Sequence, residues 1–246
     1  MLTKMQAERD PATPRSTDQP ATGLPKLPRD LGGANMQDSV YSALFEGIVT
    51  GRLRPGERLL IDDVAEHFGV SKIPVREALK ALEGKGWVES APRRGTYVRK
   101  LSMVELHELF ELRQLLEPAI TGLAAHRRRT LHLQQLSQLV DEGIAAIERD
   151  DYAASSRANS QFHSVIAEAA GNHFAHDVIR DIELRLRRYF VASEWEERKE
   201  SLRQHVAIFE AIRAQDVAEA ERLTRLHLAH TESMAARGLP GIDALD

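Results

Sequence analysis

The sequence predicts a mostly α-helical chain in two parts, an N-terminal winged helix-turn-helix and a C-terminal all-α antiparallel helical bundle of about six helices. Three observations predict it. Residues 69–82, GVSKIPVREALKAL, join a turn glycine and a capping serine to an apolar stripe at helical spacing. Residues 87–99 then switch to an extended period around Pro92-Arg93-Arg94-Gly95, the mark of a hairpin. From Met103 onward the period is helical again, and no strand pattern interrupts it.

Composition bounds the rest. The chain has 246 residues, enough for one large domain or two ordinary ones, and no cysteine, which excludes disulfides and thiolate metal sites. No N-terminal apolar run resembles a signal peptide and no charge-free stretch is long enough to span a bilayer, so the expectation is a cytoplasmic chain with no membrane partner. The net charge of −4 is unevenly spread: residues 1–37 sum to +1, residues 38–100 to +2 and residues 101–246 to −7. A mildly basic block joined to an acidic one suits a nucleic-acid reader attached to a part that does not touch nucleic acid.

Residues 1–36 hold five of the ten prolines and lack periodicity, which predicts a disordered arm. Asp38 is the expected cap of a first helix carrying Val40, Tyr41, Leu44, Phe45 and Ile48 on one face, stopped by Gly51. A turn at Arg54-Pro55-Gly56 leads to a short extended piece, Arg58 to Leu60. Asp62 is expected to open a second helix that ends at Gly69, and Ser71 to cap the third with its hydroxyl. Pro74 falls in that helix's first turn, and Val75, Leu79 and Leu82 form its buried stripe. The hairpin closes a winged helix over residues 37–100. Six helices are then expected over roughly 103–127, 131–149, 151–170, 173–193, 195–214 and 216–236, within a domain spanning 101–236 and a tail of 237–246.

Candidate functional residues follow from these placements. Lys72, Ile73, Arg76 and Lys80 lie off the buried stripe of the third helix and leave a cationic edge, while Arg93 and Arg94 at the hairpin tip are placed for phosphate or minor-groove contact. In the bundle, Asn159 and His163 are four apart on one helical face, and His205 and His227 sit among apolar neighbours on later helices. Converging, they would form a nitrogen-rich site for Zn²⁺, Ni²⁺ or a similar divalent metal. Taken singly, each histidine also reads as a packed or surface residue.

Three segments in the first part, LRPGERL, VAEHFGVSKIPVREALKALEGKGWVE and RRGTYV, resemble the N-terminal domain of GntR-type bacterial transcription regulators over about residues 38–100. The resemblance implies that Ser71, Lys72, Ile73, Arg76 and Gly95 read an operator. Two positions depart from the family: lysine stands at 72 and aspartate at 62, where arginine is common. Over about residues 103–232, ELFELRQLLEPAITGLAA, NSQFHSVIAEAAGN, LRQHVAIFEAIRAQD and RLHLAH resemble the FCD effector domain of the FadR subgroup. There the resemblance implies a divalent metal on Asn159, His163, His205 and His227, with Asn159 replacing the usual aspartate. It also implies that Arg113 points into a cavity and meets an effector carboxylate, although an ordinary ion pair of Arg113 with Glu117 on a solvated face fits the spacing equally. The resulting expectation is a homodimeric regulator, acting as a repressor, that binds pseudo-palindromic operator DNA and responds to a small organic acid. A metal-dependent hydrolase and a DNA-binding protein without effector are the alternatives. No HExxH motif supports the hydrolase.

Overall fold

The computed structural model describes Leu24 and residues 35–239. The expected arm (1–36) and tail (237–246) therefore lie outside the described residues, except for Leu24, Asn35, Met36 and residues 237–239. Among the described residues two compact units are present, one containing Leu24, residues 35–47 and Leu53–Arg99, the other Ile48–Arg52 and residues 100–239.

The first unit has α1 (Met36–Val49), β1 (Arg58–Leu59), α2 (Ile61–Phe68), α3 (Lys72–Gly84), β2 (Val88–Ala91) and β3 (Gly95–Val98). The strands form an antiparallel sheet in the order β1-β3-β2, with Tyr97 opposite both Arg58 and Glu89. Val40, Leu44, Val64, Val75, Leu79, Leu82, Trp87 and Val98 are buried, so the stripes read from the sequence are the stripes that pack. Trp87 meets Phe45 edge-on at 5.0 Å.

In the first unit helix starts differ from expectation in three places, the smallest at α2, which begins at Ile61 with Leu60 at its N-cap and Asp62 already inside. α1 begins at Met36, and the side chain that accepts from its first turn is Asn35, from Gln37 N at 3.2 Å, with Asp38 already inside the helix. Ser71 does occupy the N-cap of α3, but its hydroxyl makes no capping bond. Pro74 is the reason: it stands at N3, where a capping hydroxyl finds its usual donor, and proline has no N–H to give. At the other side of this corner Gly69 closes α2 at φ +67, and Val70 N donates to Ala65 O at 3.0 Å.

The second unit is all helix: α4 (Met103–Arg127), α5 (Thr130–Glu148), α6 (Tyr152–Ala169), α7 (His173–Leu186), α8 (Trp195–Ala214) and α9 (Val217–Arg237). α4 packs against α9, α6, α7 and α8, and α5 packs against α6 and α8. Phe162, Ile166, Ile208, Ile212, Leu136 and Ala124 anchor one apolar cluster; Leu106, Phe110, Leu186 and Tyr189 anchor a second. α7 ends seven residues before the expected 193. Past Leu186 the bonding shifts to shorter steps, Arg188 N to Arg185 O and Tyr189 N to Leu186 O. Side chains take the carbonyls so released: Tyr152 Oη donates to Arg187 O at 3.2 Å, and Arg198 donates to Phe190 O and Ser193 O. None of the described helices is long and apolar enough to cross a membrane.

A methyl group added at Gly69 would meet nothing within 4 Å, so the cost of Gly69→Ala is backbone strain alone. The left-handed conformation predicts a loss of about 1–2 kcal/mol for a residue with a Cβ. Denaturation followed at Trp87, in a Trp195→Phe background, should show a lowered midpoint of that size.

Candidate metal centre and nucleic-acid interface

Each bundle helix other than α5 delivers charged or imidazole groups to one place. On α4 the buried stripe Leu106, Phe110 continues as Arg113 and Glu117. α6 contributes His163, α7 Glu183, α8 His205 and α9 His227, all buried. Helical spacing places them there because each stands on the inward stripe of its own helix: Glu183, for example, shares a face with Ile179, Ile182 and Leu186.

Arg113, only 2% exposed, is the electrostatic centre. Its Nε donates to Glu117 Oε1, its Nη2 lies 3.2 Å from Glu117 Oε2, and the same Nη2 is 2.7 Å from Glu183 Oε1. The Arg113–Glu117 pair anticipated from the i,i+4 spacing is thus real, but it is buried and shared with a third residue rather than solvated. Burial by itself would lower the Arg113 pKa, yet Glu117 and Glu183 raise it. Burial would likewise raise Glu117, but Arg113 and His163 outweigh it and hold the carboxyl at about 2. Glu183 is pushed upward by burial despite Arg113.

The three histidines converge. One ring nitrogen from each of His163, His205 and His227 lies within 4.8 Å of the others, and the Nε2 atoms of His205 and His227 are 3.2 Å apart. His163 Nδ1 donates to Glu117 Oε2 at 3.1 Å, and His227 Nδ1 donates to Gln204 Oε1 at 3.1 Å. Those contacts put a ring hydrogen on Nδ1 of His163 and of His227, the arrangement that offers Nε2 to a metal in a neutral ring. Burial, then neighbouring positive charge, holds His205 and His227 well below the ordinary imidazole pKa, so both rings are neutral and able to ligate. This donor set fits a divalent cation. Arg113 Nη2 also approaches His163 Nε2, at 3.4 Å.

Asn159 is beside the cluster, its Nδ2 donating to Glu183 Oε2 at 3.4 Å. Arg113, Asn159, Glu183 and the three histidines all line one cavity, together with Arg187 and Arg198, with about 710 Å³ of empty space, part of it open to solvent. Arg198 is buried, stacked at 4.2 Å over the Tyr152 ring, and burial lowers its pKa. Glu183 is the residue that sequence reasoning missed. Its signal was present: a lone acid on the apolar stripe of α7, in a run with Arg180, Arg185, Arg187 and Arg188.

The other candidate residues are on the first unit's surface. Ser71, Lys72, Ile73 and Arg76 are exposed along the start of α3, Ile73 at 69%. Arg93, Arg94 and Gly95 are exposed at the β2–β3 turn. That turn is held by Arg94 N donating to Ala91 O and by Tyr97 Oη donating to Arg94 O, both at 3.0 Å. Gly95 has φ +106, and a Cβ there would press on the Arg58 guanidinium at 3.1 Å. Lys72 Nζ pairs with Asp62 Oδ1 at 2.9 Å across the α2–α3 corner.

Residues 36–98 match the bacterial regulatory proteins of the gntR family, and residues 108–230 match the FCD domain. The chain is similar to the HTH-type transcriptional repressor RspR of Escherichia coli (strain K12), 30% identical over 195 residues, 78% of this chain and 86% of that protein. It is also similar to the HTH-type transcriptional regulator LutR of Bacillus subtilis (strain 168), 28% identical over 210 residues, 76% of this chain and 95% of the relative. Among solved structures, a transcriptional regulator GntR from Rhodococcus sp. RHA1 has TM-score 0.72 at 22% identity, covering 82% of this chain and 98% of its own. McbR/YncC of E. coli also has TM-score 0.72 at 22% identity, with 83% and 98% covered. At that identity the two structures speak for the fold.

The depressed imidazoles give the protein an acid sensitivity of definite sign. His205 and His227 are neutral when folded, whereas the unfolded chain takes up protons near pH 6.5. Their contribution is complete above about pH 6.5 and falls as pH drops below it; Glu117 adds a loss below about pH 4.5. Glu183, displaced upward, opposes the trend with one proton against two. Thermal melts of the metal-free chain should show Tm falling between pH 6.5 and 5, with a shallower slope for His205→Gln.

Proposed function

We propose a mode of control for this chain, which belongs to the GntR family of bacterial regulatory proteins, carries an FCD domain, and is a ligand-modulated DNA-binding transcription regulator rather than an enzyme. In this reading residues 37–100 read an operator and residues 101–236 bind an effector. The exposed start of α3, Ser71, Lys72, Ile73 and Arg76, meets base edges, and Arg93, Arg94 and Gly95 of the wing meet the backbone or minor groove. One such head covers few base pairs, so two copies of the chain bind a pseudo-palindrome as a homodimer. Leu115 of α4, 71% exposed, and Leu226 of α9, 55% exposed, give the adjacent helices apolar surface for that association. The action is repression, as the name of the RspR relative states for that protein.

The observation that carries the effector reading is the convergence of His163, His205 and His227 in a cavity also lined by Arg113, Arg187 and Arg198. Those histidines, with Asn159 beside them, would hold a divalent cation such as Zn²⁺ or Ni²⁺, which supplies a Lewis-acidic point of attachment for an oxyanion. Cationic side chains around it favour a small organic acid, with guanidinium groups taking a carboxylate by paired hydrogen bonds. Arg113 is already committed to two carboxylates, which limits its part to orienting the cluster and sharing an acid with the cation. Coupling of about 1–3 kcal/mol between effector and operator would give control over a 5- to 150-fold range.

Two experiments test the reading. Elemental analysis of the purified chain should find about one divalent metal per chain, and a His163→Ala, His205→Ala double variant should lose it; a metal-free wild type would refute the metal site. Titration of a fluorescent promoter fragment should show Arg76→Ala weakening specific binding by about 1–3 kcal/mol with an unchanged melt. In the same assay Asp62→Asn, which releases Lys72 and removes a charge that repels phosphate, should tighten binding and steepen its salt dependence. Operator affinity unmoved by any candidate acid would leave a DNA-binding protein without effector.

A further inference from the structure

Position 159 holds an amide, so the histidine cluster draws no charge from α6. A dication surrounded only by neutral imidazoles and an amide would be buried without compensation, which a low-dielectric interior strongly disfavours. Two carboxylates stand next to the cluster. One nitrogen or oxygen from each of Glu117, His163 and Glu183 lies within 4.8 Å of the others, and His163 is common to this group and to the three histidines.

The two acids differ in what remains to them. Glu117 spends both oxygens, Oε1 on Arg113 Nε and Oε2 on Arg113 Nη2 and His163 Nδ1. It is a positioning residue that sets the His163 tautomer. Glu183 Oε1 lies 2.7 Å from Arg113 Nη2 as an ion pair but has no hydrogen-bond partner, and Oε2 accepts from the Asn159 amide at the long distance of 3.4 Å. Glu183 lines the cavity with the three histidines, whereas Glu117 does not.

We infer that Glu183, on α7, is the charged ligand of this site and takes over the role that an acidic side chain at 159 would have had. The inference rests on reading the three histidines as a metal site. Asn159 then orients Glu183 by donating to Oε2. An aspartate at 159 would instead set a second carboxylate against that oxygen, so the amide at 159 and the acid at 183 belong together. Within the Arg113–Glu117–Glu183 ion-pair network the formal charges sum to −1, so a dication beside it meets net negative charge, which loss of Glu183 would cancel.

The probe is Zn²⁺ or Co²⁺ alone, titrated into the full chain after chelation and dialysis. The wild type should bind one ion, and Glu183→Gln should weaken Zn²⁺ by at least tenfold, the lower end of the range for losing a supporting group at a metal site. Because a direct oxygen ligand is lost, the visible absorption of bound Co²⁺ should also change. Asn159→Asp added to Glu183→Gln should recover most of the affinity. Glu117→Gln should weaken binding while leaving the Co²⁺ spectrum as in the wild type. If Glu183→Gln does not fold, Glu183→Asp keeps the charge but withdraws the oxygen by one methylene, and should give the same spectral change. Wild-type affinity and spectrum in a folded Glu183 variant, with binding lost in His163→Ala, would overturn the inference and leave the histidine site standing. A wild type that binds neither ion would remove both.

Discussion

A guanidinium cut off from water must find negative charge, and the bundle is built around that demand. Taking an ion out of water costs several kcal/mol even after relaxation, so a buried arginine persists only inside a set of well-placed acceptors. Arg113 is met by two carboxylates, Glu117 one turn along its own helix, which accepts from it, and Glu183 from α7, which pairs with it by charge. The consequences spread outward by hydrogen bonds. Glu117, held by Arg113, takes the Nδ1 hydrogen of His163, and so fixes the orientation of the ring that stands with His205 and His227. A single ion-pair network thereby connects α4, α6 and α7 and prepares the imidazoles presented by α6, α8 and α9.

The same network gives the cavity a charged lining. Its walls carry arginines and imidazoles together with one carboxylate, Glu183, already paired with Arg113. Apolar side chains such as Leu139, Val140 and Leu202 complete the lining. A ligand entering such a space is favoured if it brings negative charge at one end and tolerates hydrocarbon at the other.

In the first unit a different constraint dominates, the tightness of the corner between α2 and α3. Gly69 makes the left-handed step that ends α2, and Pro74 fixes the first turn of α3. Pro74 also withholds the N–H that Ser71 would otherwise cap. The result is an exposed serine, lysine, isoleucine and arginine around a helix start, in a segment with little conformational freedom left to lose on binding. Asp62 pairs with Lys72 along this edge, a contact between two exposed side chains that contributes at most about 1 kcal/mol.

Much of this was legible in the sequence. Apolar spacing gave the three helices of the first unit and the six of the second, because a helix must hide one stripe and that stripe recurs with the helical period. Glycines marked the corner and the wing, and the resemblance to GntR and FCD sequences brought Asn159, His163, His205 and His227 together. Tertiary structure decided what periodicity cannot carry. Whether Arg113 faced water or a cavity depended on which helix lay across from it, and α7 turned out to supply Glu183. Where α7 stopped was set by Tyr152 and Arg198 satisfying carbonyls after Leu186, donors that come from α6 and α8. Local pattern records which side of a helix is buried; the partner met there is a matter of assembly, since charge compensation acts between segments distant along the chain.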